Sequence, residues 1–147
     1  MIPKFRAWIK TEKRMIETDD LLDIDYENEV VMTQRVYFEN GLPDDRDLDN
    51  FVFDEIKLMQ STGRKDTSEN EIFAGDILKV TDKNEGKDSW FEVVSYNEEK
   101  AMFVTDEVNK NSNIPATPLY SLFDTDLFIV EIVGNIYENS ELVGDKQ

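Results

Sequence analysis

The sequence predicts a mainly β, barrel-like fold of short antiparallel strands with an N-terminal β-hairpin lobe. Three observations carry that prediction. The central stretch Leu58 to Val80 places two apolar runs around a polar connection that carries Gly63 and Gly75. Residues 89–105 hold two β-branched and aromatic runs around Asn97-Glu98-Glu99-Lys100, the pattern of a hairpin. The first 32 residues repeat a strand, turn, strand pattern twice.

In chain order, Lys4 to Lys10 alternates charged with apolar residues and turns at Thr11-Glu12-Lys13, so Arg14-Met15-Ile16 returns as its hairpin partner. Leu21 to Tyr26 and Val30 to Met32 flank the turn Glu27-Asn28-Glu29. Val36-Tyr37-Phe38 adds a strand before Asn40-Gly41, a strong turn dipeptide. Leu42 to Asn50 (LPDDRDLDN) reads as a long acidic loop. The alternation of Ile56, Leu58 and Gln60 against Lys57 and Met59 predicts a strand with one half-buried face.

Gly63 ends that run, where a positive φ costs little. The polar tract Arg64 to Asn70 reads as a surface loop. Ile72-Phe73 leads to the turn Ala74-Gly75-Asp76, and Ile77 to Val80 is apolar on both faces except at Lys79, as an interior strand would be. A strand, a Gly-Asp turn and a second strand is how SH3-like or pseudo-barrel folds often begin, an analogy that reaches the fold alone.

Asp82 to Asp88 is a polar loop with Gly86, followed by the aromatic strand Ser89 to Tyr96 and its partner Ala101 to Thr105. Asp106 to Pro118 reads as a long flexible connection suited to a partner-ordered segment. Leu119 to Phe123 fits a strand or a short helix equally well. Leu127 to Val133 is a buried strand, continued past Gly134 by a bulge or a close backbone approach. Glu138 to Leu142 suits one helical turn capped by Asn139 or Ser140, and residues 143–147 a frayed tail. The chain fits a single domain, residues 1–147, with a soft division into residues 1–57 and 58–142. At this length folding buries roughly 68–70% of the surface of the unfolded chain.

Charge is unevenly spread within a formal total of −17. Residues 1–14 carry a net +4, and Glu17 to Glu55 hold fourteen acidic residues against Arg35 and Arg46. A field of that sign repels nucleic acid and favours basic partners, although acidic surfaces also serve solubility alone. The absence of cysteine, of an apolar signal core and of any run approaching 18 apolar residues predicts a cytoplasmic protein with no membrane association.

With no histidine and no cysteine, catalytic triads, thiolate nucleophiles and ordinary zinc sites are excluded. No phosphate-cradling glycine motif is present. Asp45, Asp47 and Asp49 resemble the alternate oxygen ligands of a calcium loop, but Asn50 stands where glycine is required and Ile56 where the bidentate glutamate would fall. No catalytic, cofactor or metal residue is therefore assigned, and a non-enzymatic protein is expected. The candidate partner-contact residues are Asp44, Asp45, Asp47 and Asp49, in the acidic segment, and Trp90, whose side chain is core or, if exposed, a recognition platform.

The segments Phe5-Arg6-Ala7-Trp8, Leu58 to Asp66 (LMQSTGRKD), Glu71 to Leu78 (EIFAGDIL) and Glu131 to Asn139 (EIVGNIYEN) together resemble the YopX-like family of phage and prophage proteins. Their order and spacing match along nearly the whole chain, with departures at Ser61, Ala74 and Ser140. The resemblance implies a mainly β, barrel-like fold in two intertwined parts, a phage-derived origin, residence in the host bacterium and self-association. It carries over no catalytic or binding residue. The function expected is that of an accessory module binding a host or phage protein. The alternatives are an acidic DNA-mimic inhibitor of a basic nucleic-acid-binding protein and a metal-dependent hydrolase built on carboxylates.

Overall fold

The computed structural model describes residues 2–84, 88–109 and 113–144, and the chain divides into two units, Ile2–Gln60 and a second beginning at Ser61. The first unit opens with the expected hairpin, β1 (Phe5–Ile9) against β2 (Arg14–Ile16), with Ala7 opposite Ile16. A 3-10 turn at Thr18–Asp20 leads into a three-stranded antiparallel sheet, β3 (Leu21–Asp25), β4 (Val30–Glu39) and β5 (Leu42–Val52), in that spatial order. Ala7, Ile9, Ile16, Val31, Phe51 and Ile56 form its core, with Leu21, Ile24 and Phe53 packed against them.

After a second 3-10 turn at Phe53–Glu55, β6 (Ile56–Lys65) runs from one unit into the other. Its residues 56–60 pair with β1, and Ser61 and Lys65 pair with Phe73 and Glu71 of β7 (Glu71–Phe73). The half-buried face expected here is only partly correct. Ile56 is buried, but Leu58 is exposed and Met59 is buried opposite Arg6, which is buried too. Both faces of β6 are covered in part, so simple alternation fails.

The second unit is built on a five-stranded antiparallel sheet, in a mainly β fold that includes a curled half-barrel sheet. Its strands are β8 (Asp76–Asp82), β9 (Ser89–Asn97), β10 (Met102–Glu107), β11 (Thr117–Pro118) and β12 (Phe128–Asn135), in the order β11-β10-β9-β8-β12. Ile72, Leu78, Val80, Val94, Leu119, Leu122 and Val130 make the core. As the sequence predicts, Ile77 to Val80 of β8 are buried on both faces except at Lys79. Its entry turn is held by the Phe73 N–H, which donates to Asp76 Oδ2 at 2.7 Å, and by Gly75 at φ 93°, whose N–H donates to the Val94 carbonyl at 2.8 Å.

Four expectations are corrected. Leu42 to Asn50 is not a loop but most of β5, and Val36-Tyr37-Phe38 is the end of the ten-residue β4. The segment Arg64 to Asn70 is a surface loop only in part: Arg64 and Lys65 finish β6 and Asp66 is buried, while residues 67–70 are exposed outside any strand. Strand structure reaches into Asp106 to Pro118 from both ends, since β10 extends to Glu107 and Thr117–Pro118 pairs with Thr105 and Val104. Asn139 precedes the 3-10 turn Ser140–Val143, but no side-chain hydrogen bond caps that turn. Leu119–Leu122 resolves as a 3-10 helix, with both leucines buried. Gly86, residues 110–112 of the connection and residues 145–147 of the tail lie outside the described residues. Among the described residues no helix is long and apolar enough to cross a membrane.

Candidate functional site

The acidic segment acquires its geometry from the turn that precedes it. Asn40 at φ 54° and Gly41 at φ 78° place both central residues in the left-handed region, as the two-residue turns that match strand twist require. That turn folds β5 back along β4 for its full length, from Glu39 opposite Leu42 to Val30 opposite Val52.

Residues directly opposite in an antiparallel pair share a face. One face therefore carries Val31 with Phe51, Thr33 with Asp49, Arg35 with Asp47 and Tyr37 with Asp45. Val31, Phe51 and Thr33 are buried at its base, and beyond them the same face continues into solvent as Asp47, Arg35, Asp45 and Tyr37. The Tyr37 hydroxyl donates to Asp47 Oδ2 at 2.9 Å, and the Arg46 N–H donates to Asp45 Oδ1 at 2.8 Å. Tyr37 opposes Asp45 and Phe38 opposes Pro43, which leaves Asp44 as the extra residue of a bulge.

The opposite face pairs Val30 with Val52, Met32 with Asn50, Gln34 with Leu48 and Val36 with Arg46, and reaches Phe38 beside Pro43 past the bulge. It is largely apolar. Phe38 is 66% exposed and Leu48 51%, so large apolar side chains of this strand pair stand in water. The hairpin is thus amphipathic, with an acidic face backed by an apolar one.

Of the sequence-derived candidates, Asp45, Asp47 and Asp49 come together on one face, and Asp44 does not share their register. An extended strand spaces alternate residues by about 6.5–7 Å along its axis, so these carboxylates form a ladder and do not converge on a point as calcium ligands must. Among the described residues no group of three or more acidic side chains is placed to hold a metal ion. Trp90 belongs to the second unit, on β9. It is half-buried, packs against the core, meets Phe128 edge-on with ring centroids 5.9 Å apart and donates its indole N–H to Glu92 Oε2 at 2.8 Å. Phe38 and Leu48 were not among the sequence candidates. The alternation of Val36, Phe38 and Leu48 becomes visible as one face only when the register is known.

A family model described as YopX protein matches residues 4–144. The crystal structure of protein EF1440 from Enterococcus faecalis aligns with 97% of this chain and 99% of its own, with a TM-score of 0.60 and 27% sequence identity. A comparison with curated proteins finds no match.

Proposed function

This chain belongs to the YopX family, and on that premise we propose that it is a phage- or prophage-encoded, non-enzymatic accessory protein that binds a basic protein partner through the β4–β5 hairpin. The observation that carries the reading is the amphipathic exposure of that hairpin. Beyond Thr33, where pairing with β3 ends, β4 and β5 continue as a two-stranded ribbon, a structure marginal in water by itself, and this one presents apolar side chains to solvent on one face and carboxylates on the other. A partner with an apolar patch bordered by Lys or Arg complements both faces.

Charge decides between classes of occupant. Nucleic acid is repelled by the ladder of Asp45, Asp47 and Asp49. A second copy paired through the outer edge of β5 about Asp47 would set each of these carboxylates against another, and like charges directly opposite are unfavourable. A basic protein is attracted by the same ladder, with the steering and salt sensitivity such fields confer.

The test is capture from host lysate by the immobilised chain, compared across variants. Asp45→Asn/Asp47→Asn/Asp49→Asn is expected to weaken capture about tenfold at low salt, each exposed pair contributing about 0.2–1 kcal/mol. Phe38→Ser/Leu48→Ser is expected to abolish it, while Tyr120→Ser, an exposed aromatic of the other unit, leaves it intact. Capture that is indifferent to both hairpin variants, or recovery of this chain alone with light scattering showing a dimer, rejects the reading.

A further inference from the structure

The second unit holds a site of a different kind, independent of the hairpin. Glu92 on β9 and Glu107 on β10 are directly opposite in register and so share one face of the sheet. Their Cβ atoms are then about 4.5–5.5 Å apart, a placement in which like charges oppose folding. Glu92 is also 94% buried, being 6% exposed, so its charge is largely withdrawn from water. Among the described residues neither carboxylate has an ion-pair partner. Among the described residues the hydrogen bond to the Glu92 side chain comes from the Trp90 indole and engages Oε2.

Both carboxylates line a cleft of about 230 Å³. Its other walls include the rings of Trp90 and Phe128 and the hydroxyls of Thr105 and Thr117, which lie 3.3 Å apart. Among the described residues these are two acids without a cation, beside aromatic rings, an arrangement completed by positive charge: carboxylates supply the Coulomb attraction and aromatic rings can add cation–π stabilisation. A divalent metal is poorly served, because calcium needs six to eight oxygen ligands and one Glu92 oxygen is already engaged. Apolar walls suit an alkyl stem. The volume lies below the roughly 300–1,000 Å³ of pockets for larger ligands, which limits the occupant to a group the size of one side chain.

We propose that the cleft between Glu92 and Glu107 binds an organic cation, a primary alkylammonium or guanidinium group, carried by a small amine or by a basic side chain of a partner. Glu92 accepts the indole N–H, whereas among the described residues no hydrogen bond or ion pair engages the Glu107 side chain.

The experiment follows the indole N–H resonances of the ¹⁵N-labelled full chain, with Trp8 as an internal reference and Trp90 as the reporter. n-Butylammonium is expected to shift Trp90 saturably, whereas 1-butanol of the same shape leaves it in place. Glu107→Gln is expected to weaken that response at least about tenfold while raising the thermal midpoint, since it removes the like-charge pair. Glu92→Gln keeps an oxygen for the indole and loses the response as well. N-acetyl-lysine N-methylamide binding more tightly than n-butylammonium assigns the site to a protein side chain, and equal binding assigns it to small amines. A Trp90 resonance unmoved by either amine, or moved equally by the alcohol or in both glutamine variants, overturns the proposal.

Discussion

Asp66→Ala is expected to lower the stability of the chain by about 3–5 kcal/mol in denaturant unfolding, because one buried carboxylate satisfies backbone donors from two separate segments. Asp66 is 4% exposed. Its Oδ1 accepts the N–H groups of Ser68 at 3.0 Å and Asn70 at 2.8 Å, which closes the turn after β6. Its Oδ2 accepts the Ile132 N–H at 3.0 Å, on the edge of β12 that faces away from β8. Thr67 continues the attachment: its N–H donates to the Val130 carbonyl at 2.8 Å, and its hydroxyl oxygen accepts the Val130 N–H at 2.9 Å. The turn therefore covers what would otherwise be an open sheet edge. Truncation to alanine leaves these donors without their acceptor, and amide exchange at Ile132 should accelerate along with the loss of global stability.

The same residue predicts an acid dependence. Burial alone raises the Asp66 pKa, but hydrogen bonds from Ile132, Asn70 and Ser68 outweigh it and leave the carboxyl below its ordinary value. A folded-state pKa below the unfolded one contributes stability that is fully present above the ordinary carboxylate range and disappears as pH falls through the folded value. Unfolding midpoints measured from neutral pH downward should show this component in the parent chain. In Asp66→Asn the component is missing and the chain is less stable at neutral pH, since an amide offers one acceptor oxygen where the carboxylate offered two. An unchanged acid limb in Asp66→Asn would mean that other carboxylates set it.

Asp66 also marks where sequence reading stops. Arg64 to Asn70 is polar throughout, and polar tracts belong on the surface by composition, so nothing local distinguishes the one aspartate that is turned inward. Its burial depends on β12, more than sixty residues away. The β5 strand escaped for the opposite reason. Its residues 42–50 are all exposed, so no alternation of apolar and polar side chains marks it, and aspartate is disfavoured in strands by propensity. The information that makes it a strand sits outside it, in Asn40-Gly41 and in the length of β4. Where one face is buried the sequence was legible: the β1–β2 and β9–β10 hairpins, the interior strand β8 and the bulge at β12 all carry their own pattern. The Glu92–Glu107 pair was not legible, because its two members are fifteen positions apart and meet only through the hairpin register.

The second large effect is expected at Gly134. Here β12 slips register against β8: Ile132 opposes Leu78 and Gly134 opposes Ile77, so Val133 is the extra residue of a bulge. The glycine serves a close approach. A Cβ at Gly134 would lie 2.4 Å from Asn139 Oδ1, 2.6 Å from its Cγ and 2.9 Å from its Cβ. Rotating the Asn139 side chain relieves the first two clashes and leaves the third, so the backbone must shift. That shift breaks a built turn. Asn139 Oδ1 accepts the Asn135 N–H at 3.1 Å, and Asn135 Oδ1 in turn accepts the N–H groups of Tyr137 at 3.0 Å and Glu138 at 2.8 Å. Gly134→Ala should therefore cost about 2–4 kcal/mol, an overpacking penalty plus a lost hydrogen bond. Gly41→Ala, with nothing within 4 Å of the added Cβ, should cost only the left-handed strain of about 1 kcal/mol. A double-mutant cycle isolates the cause. Asn139→Gly deletes all three clashing atoms, so Gly134→Ala should be better tolerated in that background by more than about 1 kcal/mol. Additive costs would place the requirement for glycine in the bulge backbone itself and not in the approach of Asn139.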